Sequence, residues 1–133
     1  SDRGHEIGNH TWNHKDLTTL SSKEILREVD ATSKAIEQLI GEAPKLYRPP
    51  YGAINDHVRG VVDLTPVLWT VDPQDWRYRD ADKVFKHVKA NVTDGSIVLM
   101  HDIYGSTVEA VGKILAYLAA EGYQFVTVSE LDS

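Results

Sequence analysis

Apolar residues recur along the chain at the spacing of helix faces, and these segments alternate with short apolar runs. The first helix is predicted over residues 22–39, because Ser21-Ser22-Lys23-Glu24 is a capping-box pattern and Gly41 is a natural stop. Its apolar stripe consists of Ile25, Val29, Ile36 and Ile40. Further helices are predicted over residues 55–62, 80–92 and 107–121. The stripe predicted for the last helix consists of Val108, Val111, Leu115 and Leu118.

Short segments rich in β-branched and aromatic residues predict strands between these helices. The predicted strands cover residues 5–8, 45–48, 66–71, 96–100 and 124–128. Pro49 and Pro50 end the second strand, because proline cannot donate to a strand ladder. Strands that alternate with long helices favour right-handed crossovers and a largely parallel sheet, either open or closed into a barrel. The predicted class is therefore α/β.

Polar side chains follow four consecutive predicted strands. His10 follows the first strand, Arg48 ends the second, Asp72 and Asp75 follow the third, and His101 follows the fourth. In parallel α/β folds, the chemistry lies at the carboxyl ends of the strands. We therefore expect one polar site at that end of the sheet.

Composition and charge narrow the classes of function. The 133 residues include 14 Lys or Arg and 20 Asp or Glu, which gives a formal net charge of −6. This balance argues against binding to nucleic acid or to an anionic membrane. The absence of cysteine excludes disulfides and thiolate chemistry. No apolar run approaches the roughly 18 residues of a membrane-spanning helix, and any export signal is expected either to have been removed or to lie outside these residues.

His10 and His14 are four positions apart. In one helical turn, both rings would project from the same face and could share an ion such as Zn²⁺ or Co²⁺. The alternative is two unrelated polar turn residues, because this spacing alone is weakly specific. Catalytic zinc normally uses three protein ligands, so a carboxylate or a third histidine must come from elsewhere.

Arg48-Pro49-Pro50-Tyr51-Gly52 is a stiff segment. The prolines restrict the backbone, so Arg48 is held near one direction and the amides of Tyr51 and Gly52 are presented rigidly. A rigid amide suits an oxyanion hole, and a guanidinium can orient a carboxylate. The alternative is an ordinary turn with a surface arginine.

Acidic residues follow the third predicted strand. Asp72 and Asp75 are each either a helix cap or the partner of a histidine whose charged form they favour. With such a partner, His101 could act as a general acid. Trp76 suits either a sugar face or, more commonly, core packing. The remaining histidines, His5, His57 and His87, are interpreted as structural or solvated.

Four segments together resemble motifs two to five of the polysaccharide deacetylase domain, also called the NodB-homology or carbohydrate esterase family 4 domain. In chain order they are His10-Thr11-Trp12-Asn13-His14, Arg48-Pro49-Pro50-Tyr51, Asp72-Pro73-Gln74-Asp75-Trp76 and Leu99-Met100-His101. The resemblance implies a distorted (β/α) barrel and a metal-dependent hydrolase that removes acetyl groups from N-acetylglucosamine units. Peptidoglycan is the first expected substrate, with chitin or acetylated xylan as alternatives, and the expected location is extracellular or at the cell wall.

The resemblance also implies roles for the first two segments. His10 and His14 would bind one divalent ion, with Zn²⁺ expected first and Co²⁺ or Ni²⁺ as alternatives. Arg48 would orient the catalytic base. The amide of Tyr51 would help to bind the oxyanion.

The other two segments carry the remaining implied roles. His101 would protonate the leaving amine, and Asp75 would tune His101. Trp76 and Leu99 would line the acetyl pocket.

The family's first motif, Thr-Phe-Asp-Asp-Gly, does not occur in the 133 residues. In the family this motif supplies the catalytic base and the third metal ligand on the first strand. We therefore expect residues 1–133 to be the carboxyl-terminal portion of one deacetylase domain without its first strand and helix. A second polypeptide is expected to supply the Asp-Asp motif. The alternative from another class is a glycan-binding pseudoenzyme.

Overall fold

Helix α1 spans Ser22–Ile40 in a computed structural model that describes residues 3–131. The amide of Glu24 donates to Ser21 Oγ at 3.2 Å, and the amide of Ser21 donates to Glu24 Oε1 at 3.3 Å, which completes the predicted capping box. Gly41 ends the helix with φ of 82°, a left-handed conformation that glycine adopts at little cost. This helix was therefore predictable almost to the residue.

The chain divides into two units, Ser1–Leu68 and Trp69–Ser133. The first unit contains α1, strand β1 (Leu46–Tyr47), helix α2 (Asp56–Val61) and strand β2 (Thr65–Pro66). β1 and β2 pair in parallel, and Asn9 makes a further parallel bridge to Tyr47. The short 3-10 turns of this unit are Leu17–Thr19 and Pro50–Gly52.

The core of the first unit lies under the apolar face of α1. Its buried members are Leu17, Ile25, Val29, Tyr47, Val58 and Val62. Helix α2 contributes Val58 to this core, and Asn55 caps α2 by accepting from the amide of Val58 at 2.9 Å. The helix predicted over residues 55–62 is thereby confirmed, with Asn55 as its cap rather than its first helical residue.

The second unit contains four helices among the described residues. They are α3 (Asp75–Tyr78), α4 (Ala81–Asn91), α5 (Gly105–Ala120) and α6 (Val128–Leu131). Val71 and Val98 form a parallel bridge. Helices α4 and α5 enclose a core of Val84, Val88, Ala110, Ile114 and Leu118. None of the described helices has both the length and the apolar character needed to cross a membrane.

The predicted strands are mostly shorter in the structure. The strand predicted over residues 5–8 is wrong, since the chain pairs only at Asn9, and the strand predicted over 96–100 is reduced to the bridge at Val98. The strand predicted over 66–71 is divided, because Thr65–Pro66 pairs with β1 whereas Val71 pairs with Val98. A segment extends as a strand only where a neighbour offers hydrogen-bond partners along its length.

The strand predicted over residues 124–128 is also wrong. Residues 123–127 form no regular element, and α6 begins at Val128. Phe125 and Val126 are about half exposed, at 54% and 48%. High strand propensity therefore does not produce a strand here, because none of the described residues pairs with this segment.

Helix α5 buries only part of the predicted stripe, since Leu118 is buried as expected and two other members are exposed. Val108 and Leu115 are 59% and 45% exposed. The buried residues are Thr107, Ala110, Ile114 and Leu118. Apolar side chains occur around most of this helix, so two stripes satisfy helical spacing, and packing against α4 selects the one that includes Thr107.

Candidate functional site

His10 and His14 bring their imidazole rings together in the first unit. Their centroids lie 4.9 Å apart and their planes are inclined by 79°. The segment does not form a helical turn, and instead Thr11 and His14 adopt left-handed conformations with φ of 68° and 55°. The approach of the rings therefore arises from an irregular turn, which requires support from its surroundings.

Asn9 provides part of that support from a buried position. Its Nδ2 donates to the carbonyl of Val29 at 2.9 Å and to Ser33 Oγ at 2.8 Å, both on α1. Its Oδ1 accepts from the amide of Thr11 at 2.8 Å. Asn9 therefore ties the beginning of the histidine turn to the helix.

Glu28 holds the other side of the turn. Its Oε1 accepts from the amide of Asn13 at 2.7 Å, and its Oε2 accepts from Asn13 Nδ2 at 2.7 Å. Glu28 is only 5% exposed although it is charged, and these hydrogen bonds compensate for its burial. The two hydrogen bonds fix the position of Asn13, which precedes His14 in the sequence.

The hydrogen bond of His10 assigns its tautomer. His10 Nδ1 lies 2.6 Å from the carbonyl oxygen of Arg48. Because a carbonyl can only accept, Nδ1 carries the proton. The lone pair of the neutral ring then resides on Nε2, which is the atom suited to bind a metal ion.

Tyr51 lies beside the histidine pair. Its ring centroid is 4.8 Å from that of His14, and the ring is 72% exposed. Tyr51 has φ of 63°, following the buried Pro49 and Pro50. The amide of Gly52 donates to the carbonyl of Pro49 at 3.0 Å, so it is engaged within the turn. Of the two amides predicted as oxyanion donors, the amide of Tyr51 is therefore the candidate.

Arg48 is half-buried rather than displayed on the surface. Its Nη2 donates to the carbonyl of Leu68 at 3.2 Å, and its amide donates to the carbonyl of Asn9 at 2.8 Å. Burial lowers the pKa of the Arg48 guanidinium from its ordinary value. These contacts give the arginine a defined position in the first unit.

In the second unit, His101 is bound to Asp75 through both its ring and its backbone. His101 Nδ1 lies 2.8 Å from Asp75 Oδ1, and the amide of His101 donates to Asp75 Oδ2 at 2.6 Å. Thr107 Oγ1 donates to the same Oδ2 at 2.8 Å, and the amide of Trp76 donates to Oδ1 at 3.0 Å. The carboxylate therefore accepts four hydrogen bonds.

Asp75 is fully buried. Burial by itself raises the pKa of a carboxyl group, but the hydrogen bonds from His101 and Thr107 outweigh it and hold the pKa of Asp75 below its ordinary value. An ionised Asp75 accepts from His101 Nδ1, so that nitrogen carries a proton. His101 has a side chain that is 41% exposed, and its Nε2 is the nitrogen left for proton transfer.

Asp72 and Asp75 have different roles, one in a turn before a helix and the other as the partner of a histidine. Asp72 Oδ1 accepts from the amide of Gln74 at 2.9 Å, which makes it a turn-capping residue ahead of α3. Asp75 is the partner of the histidine.

Trp76 and Leu99 have contrasting environments. Trp76 is 49% exposed, so core packing is the wrong alternative for it. Leu99 is buried, and its amide donates to the carbonyl of Val71 at 2.9 Å. Their role in an acetyl pocket stays a prediction.

The three histidines interpreted as structural or solvated are all exposed. One of them, His57, places its Nε2 3.3 Å from Ser22 Oγ. Among the described residues, His57 has no hydrogen bond or ion pair with another His, Asp or Glu side chain that could share a metal ion with it.

Three supporting residues were missed in the sequence, namely Asn9, Glu28 and Thr107. For Glu28 a signal existed, because it lies three positions after Ile25 and one before Val29, on the apolar face of α1. A charged residue at such a position needs a buried partner. Thr107 carried no comparable signal, because its partner Asp75 is 32 positions away.

Within residues 3–131, no group of three or more His, Asp, Glu or Cys side chains could hold a metal ion. The pair of imidazoles fits two positions of a metal site, since neutral imidazole nitrogens are common ligands of divalent transition metals. A further ligand is required for a catalytic site.

The sequence matches the family model described as "Polysaccharide deacetylase" over residues 1–67. The chain belongs to the polysaccharide deacetylase family. Among curated relatives, it is 43% identical over 130 residues to the peptidoglycan-N-acetylglucosamine deacetylase PgdA of Listeria monocytogenes. That match covers 98% of this chain and 28% of PgdA, so the chain spans little more than a quarter of that relative.

Solved structures of family members have the same fold. The peptidoglycan deacetylase PdaC from Bacillus subtilis matches with a TM-score of 0.96 and 43% identity, covering 98% of this chain and 65% of the PdaC chain. A CE4 family pseudoenzyme from Bacillus anthracis matches with a TM-score of 0.91 and 32% identity, covering 98% of this chain and 47% of that chain. The predicted α/β fold of the NodB-homology type is thus confirmed.

Proposed function

We propose that this polysaccharide deacetylase chain participates in the hydrolysis of N-acetyl groups on N-acetylglucosamine units of a glycan, with peptidoglycan as the first substrate. The observation that carries the proposal is the pairing of the exposed His101 with the buried, ionised Asp75. An amide has a poor leaving group, so its hydrolysis benefits from an acid that protonates the departing nitrogen. Chitin and acetylated xylan are the alternative substrates.

His101 is proposed to deliver that proton from Nε2. Its Nδ1 donates to Asp75 at 2.8 Å, which orients the ring and leaves Nε2 to carry the transferred proton. Thr107 in turn fixes the carboxylate at 2.8 Å. Trp76 and Leu99 are proposed to line the pocket for the acetyl group.

His10 and His14 are proposed as ligands of one divalent ion, with Zn²⁺ preferred over Co²⁺ or Ni²⁺. Such an ion, when bound, lowers the pKa of a water molecule and polarises the acetamide carbonyl. The contact between His10 Nδ1 and the carbonyl of Arg48 supports this assignment, because it directs the ring lone pair to Nε2. The amide of Tyr51 is proposed to donate to the oxyanion.

A carboxylate base and a third ligand are proposed to come from an Asp-Asp motif, which the 133 residues do not contain. We propose that Arg48 orients the first of the two aspartates of such a motif. An arginine suits this role, because its guanidinium can bind a carboxylate through two parallel hydrogen bonds. The location that fits a glycan of the cell wall is extracellular or on the cell surface.

The experiment is an assay of acetate release from peptidoglycan and from N-acetylglucosamine oligomers. The 133-residue chain is assayed alone and after mixing with a polypeptide that carries Thr-Phe-Asp-Asp-Gly. We expect metal-dependent release only in the mixture. Full release by the 133 residues alone would contradict the need for an Asp-Asp motif from outside them.

A glycan-binding pseudoenzyme is the second candidate. The similarity to a CE4 family pseudoenzyme favours it. In that case the mixture would bind N-acetylglucosamine oligomers but release no acetate. The same assay, combined with a binding measurement, therefore separates the two candidates.

A further inference from the structure

An exposed surface of the second unit combines aromatic rings with cations around α3. We call it the cationic surface, and it consists of Trp76, Arg77, Tyr78, Arg79, Lys83 and the half-buried Tyr104. The guanidinium carbon of Arg79 lies 4.6 Å from the ring centroid of Tyr104, and that of Arg77 lies 5.3 Å from the centroid of Tyr78. Both distances are within the range of cation–π contacts.

Arg79 has a defined position at the end of α3. Its backbone is left-handed, with φ of 37° and ψ of 41°, an uncommon conformation for a residue with a side chain. Its Nε donates to the carbonyl of Trp76 at 3.2 Å. This bond uses one of five guanidinium donors and the contact with Tyr104 uses none, so donors remain for a ligand.

Tyr104 links Arg79 to the proposed acid. The ring centroid of Tyr104 lies 6.3 Å from that of His101, with the planes inclined by 62°. The same tyrosine ring therefore neighbours both Arg79 and His101. Trp76, which is 49% exposed, donates its amide to the carboxylate that holds His101.

The charges of Arg77 and Arg79 are not neutralised within the described residues. Neither residue takes part in any ion pair among residues 3–131, whereas Lys113 is paired with Asp82 at 2.8 Å. The chain has six more acidic than basic residues, so acidic partners are not scarce. Two unpaired guanidinium groups beside exposed aromatic rings suit a sugar that carries an anionic group.

We propose that Arg79, assisted by Arg77, binds a carboxylate on the glycan and so makes the site selective for acidic over neutral glycans. This inference rests on the proposed function, because it places the carboxylate next to the sugar whose acetamido group His101 would protonate. Two carboxylates have this chemistry, namely the lactyl group of a muramic acid residue and the terminus of a peptide attached to it. The exposed faces of Trp76 and Tyr78 would contact the sugar rings.

The test measures binding of the 133-residue chain to four glycans by calorimetry or by NMR titration. The probes are the disaccharide of N-acetylglucosamine and N-acetylmuramic acid, its methyl ester, the same disaccharide with an attached dipeptide, and N,N′-diacetylchitobiose. We expect the free acid to bind at least about tenfold more tightly than the ester, as for a hydrogen bond to a charged group. Tight binding of the dipeptide form alone would identify the peptide terminus as the carboxylate.

Variants of Arg79 test whether this residue causes the preference for the free acid over the methyl ester. Arg79→Gln should abolish the difference between acid and ester, and Arg79→Lys should retain only part of it, because an ammonium cannot form the two-point contact. Lys89→Gln is the matched control, since Lys89 also lies over a ring, 5.0 Å from the centroid of Tyr117. This control should retain the full preference.

Equal affinity of the unsubstituted chain for acid and ester, with no tighter binding of the dipeptide form, would overturn the inference. No measurable binding of the acid, the ester and the dipeptide form would also overturn it. An unchanged preference in Arg79→Gln would overturn it as well. Acetate release from neutral N-acetylglucosamine oligomers by the unsubstituted chain in the mixture described above is measured separately. That measurement reports on the proposed function alone, so the two can fail independently.

Discussion

His101 Nδ1 and Asp75 Oδ1 lie 2.8 Å apart, with the carboxylate fully buried and the imidazole 41% exposed. The two residues are 26 positions apart in the sequence. The carboxylate is held on the protein side by Thr107 and by two backbone amides. Nδ1 of the His101 ring is thereby anchored, while Nε2 is left to exchange a proton.

Asp75→Asn should destabilise the fold most at neutral pH. The pKa of Asp75 is lowered in the folded state, so its contribution is fully present above the unfolded pKa of 3.8 and is lost as pH falls through the folded value. We expect a loss of about 1.5–3 kcal/mol at pH 7, the range for hydrogen bonds to charged groups. Urea unfolding of both proteins at pH 7 and pH 3 measures it. A difference that is as large at pH 3 as at pH 7 would contradict this linkage.

Thr107→Val should reduce the free energy of unfolding by about 1–3 kcal/mol, because it leaves a buried carboxylate oxygen with one fewer donor. Thr107→Ser is the matched control, since it keeps the hydroxyl group and loses only a methyl group. Thermal unfolding of the two variants compares them. If Thr107→Ser is as destabilised as Thr107→Val, the hydrogen bond to Asp75 is not the cause.

Glu28→Gln should weaken the histidine turn. The substituted amide can accept from one donor of Asn13, but its NH₂ group then faces the other donor. We expect a loss of about 1–3 kcal/mol in stability and weaker binding of a divalent ion. Glu37→Gln, at an exposed position on the same helix, is the control and should change neither quantity. Equal behaviour of the two variants would show that Glu28 does not support the turn.

Substitution of both His10 and His14 by alanine should abolish the binding of Zn²⁺. The two rings lie 4.9 Å apart, and the tautomer of His10 directs a lone pair from Nε2. Elemental analysis after equilibration with Zn²⁺ measures the bound metal, and His87→Ala serves as an exposed control. One equivalent of zinc retained in the double variant would show that the ion binds elsewhere.

The helices were predictable because their signals are local. Ser21, Asn55 and Asp80 each cap a helix through a hydrogen bond to a neighbour in sequence, and Gly41 ends α1. The strands were not predictable in the same way, because strand pairing joins residues that are distant in the sequence. No pattern around Val71 indicates that its partner is Val98, or that the segment changes partners after Pro66.

The site could be predicted in part, because some of its residues follow the ends of predicted strands. The rule for parallel strand ends identified His10, Asp75 and His101 as functional candidates. The residues that hold them, Glu28 and Thr107, lie on helix faces and reach partners 15 and 32 positions away. Such contacts depend on how α1 and α5 pack, and a single sequence does not specify that packing.

The central claim is that His101 protonates the leaving amine, and the rate of acetate release by His101→Ala tests it most directly. The variant is assayed with a polypeptide that supplies the Asp-Asp motif, on N-acetylglucosamine oligomers, beside His87→Ala as a control. We expect kcat to fall by about 10²–10⁴-fold in His101→Ala, the usual contribution of a general acid, while His87→Ala keeps its rate. A kcat for His101→Ala equal to that of the control would show that His101 is not the acid.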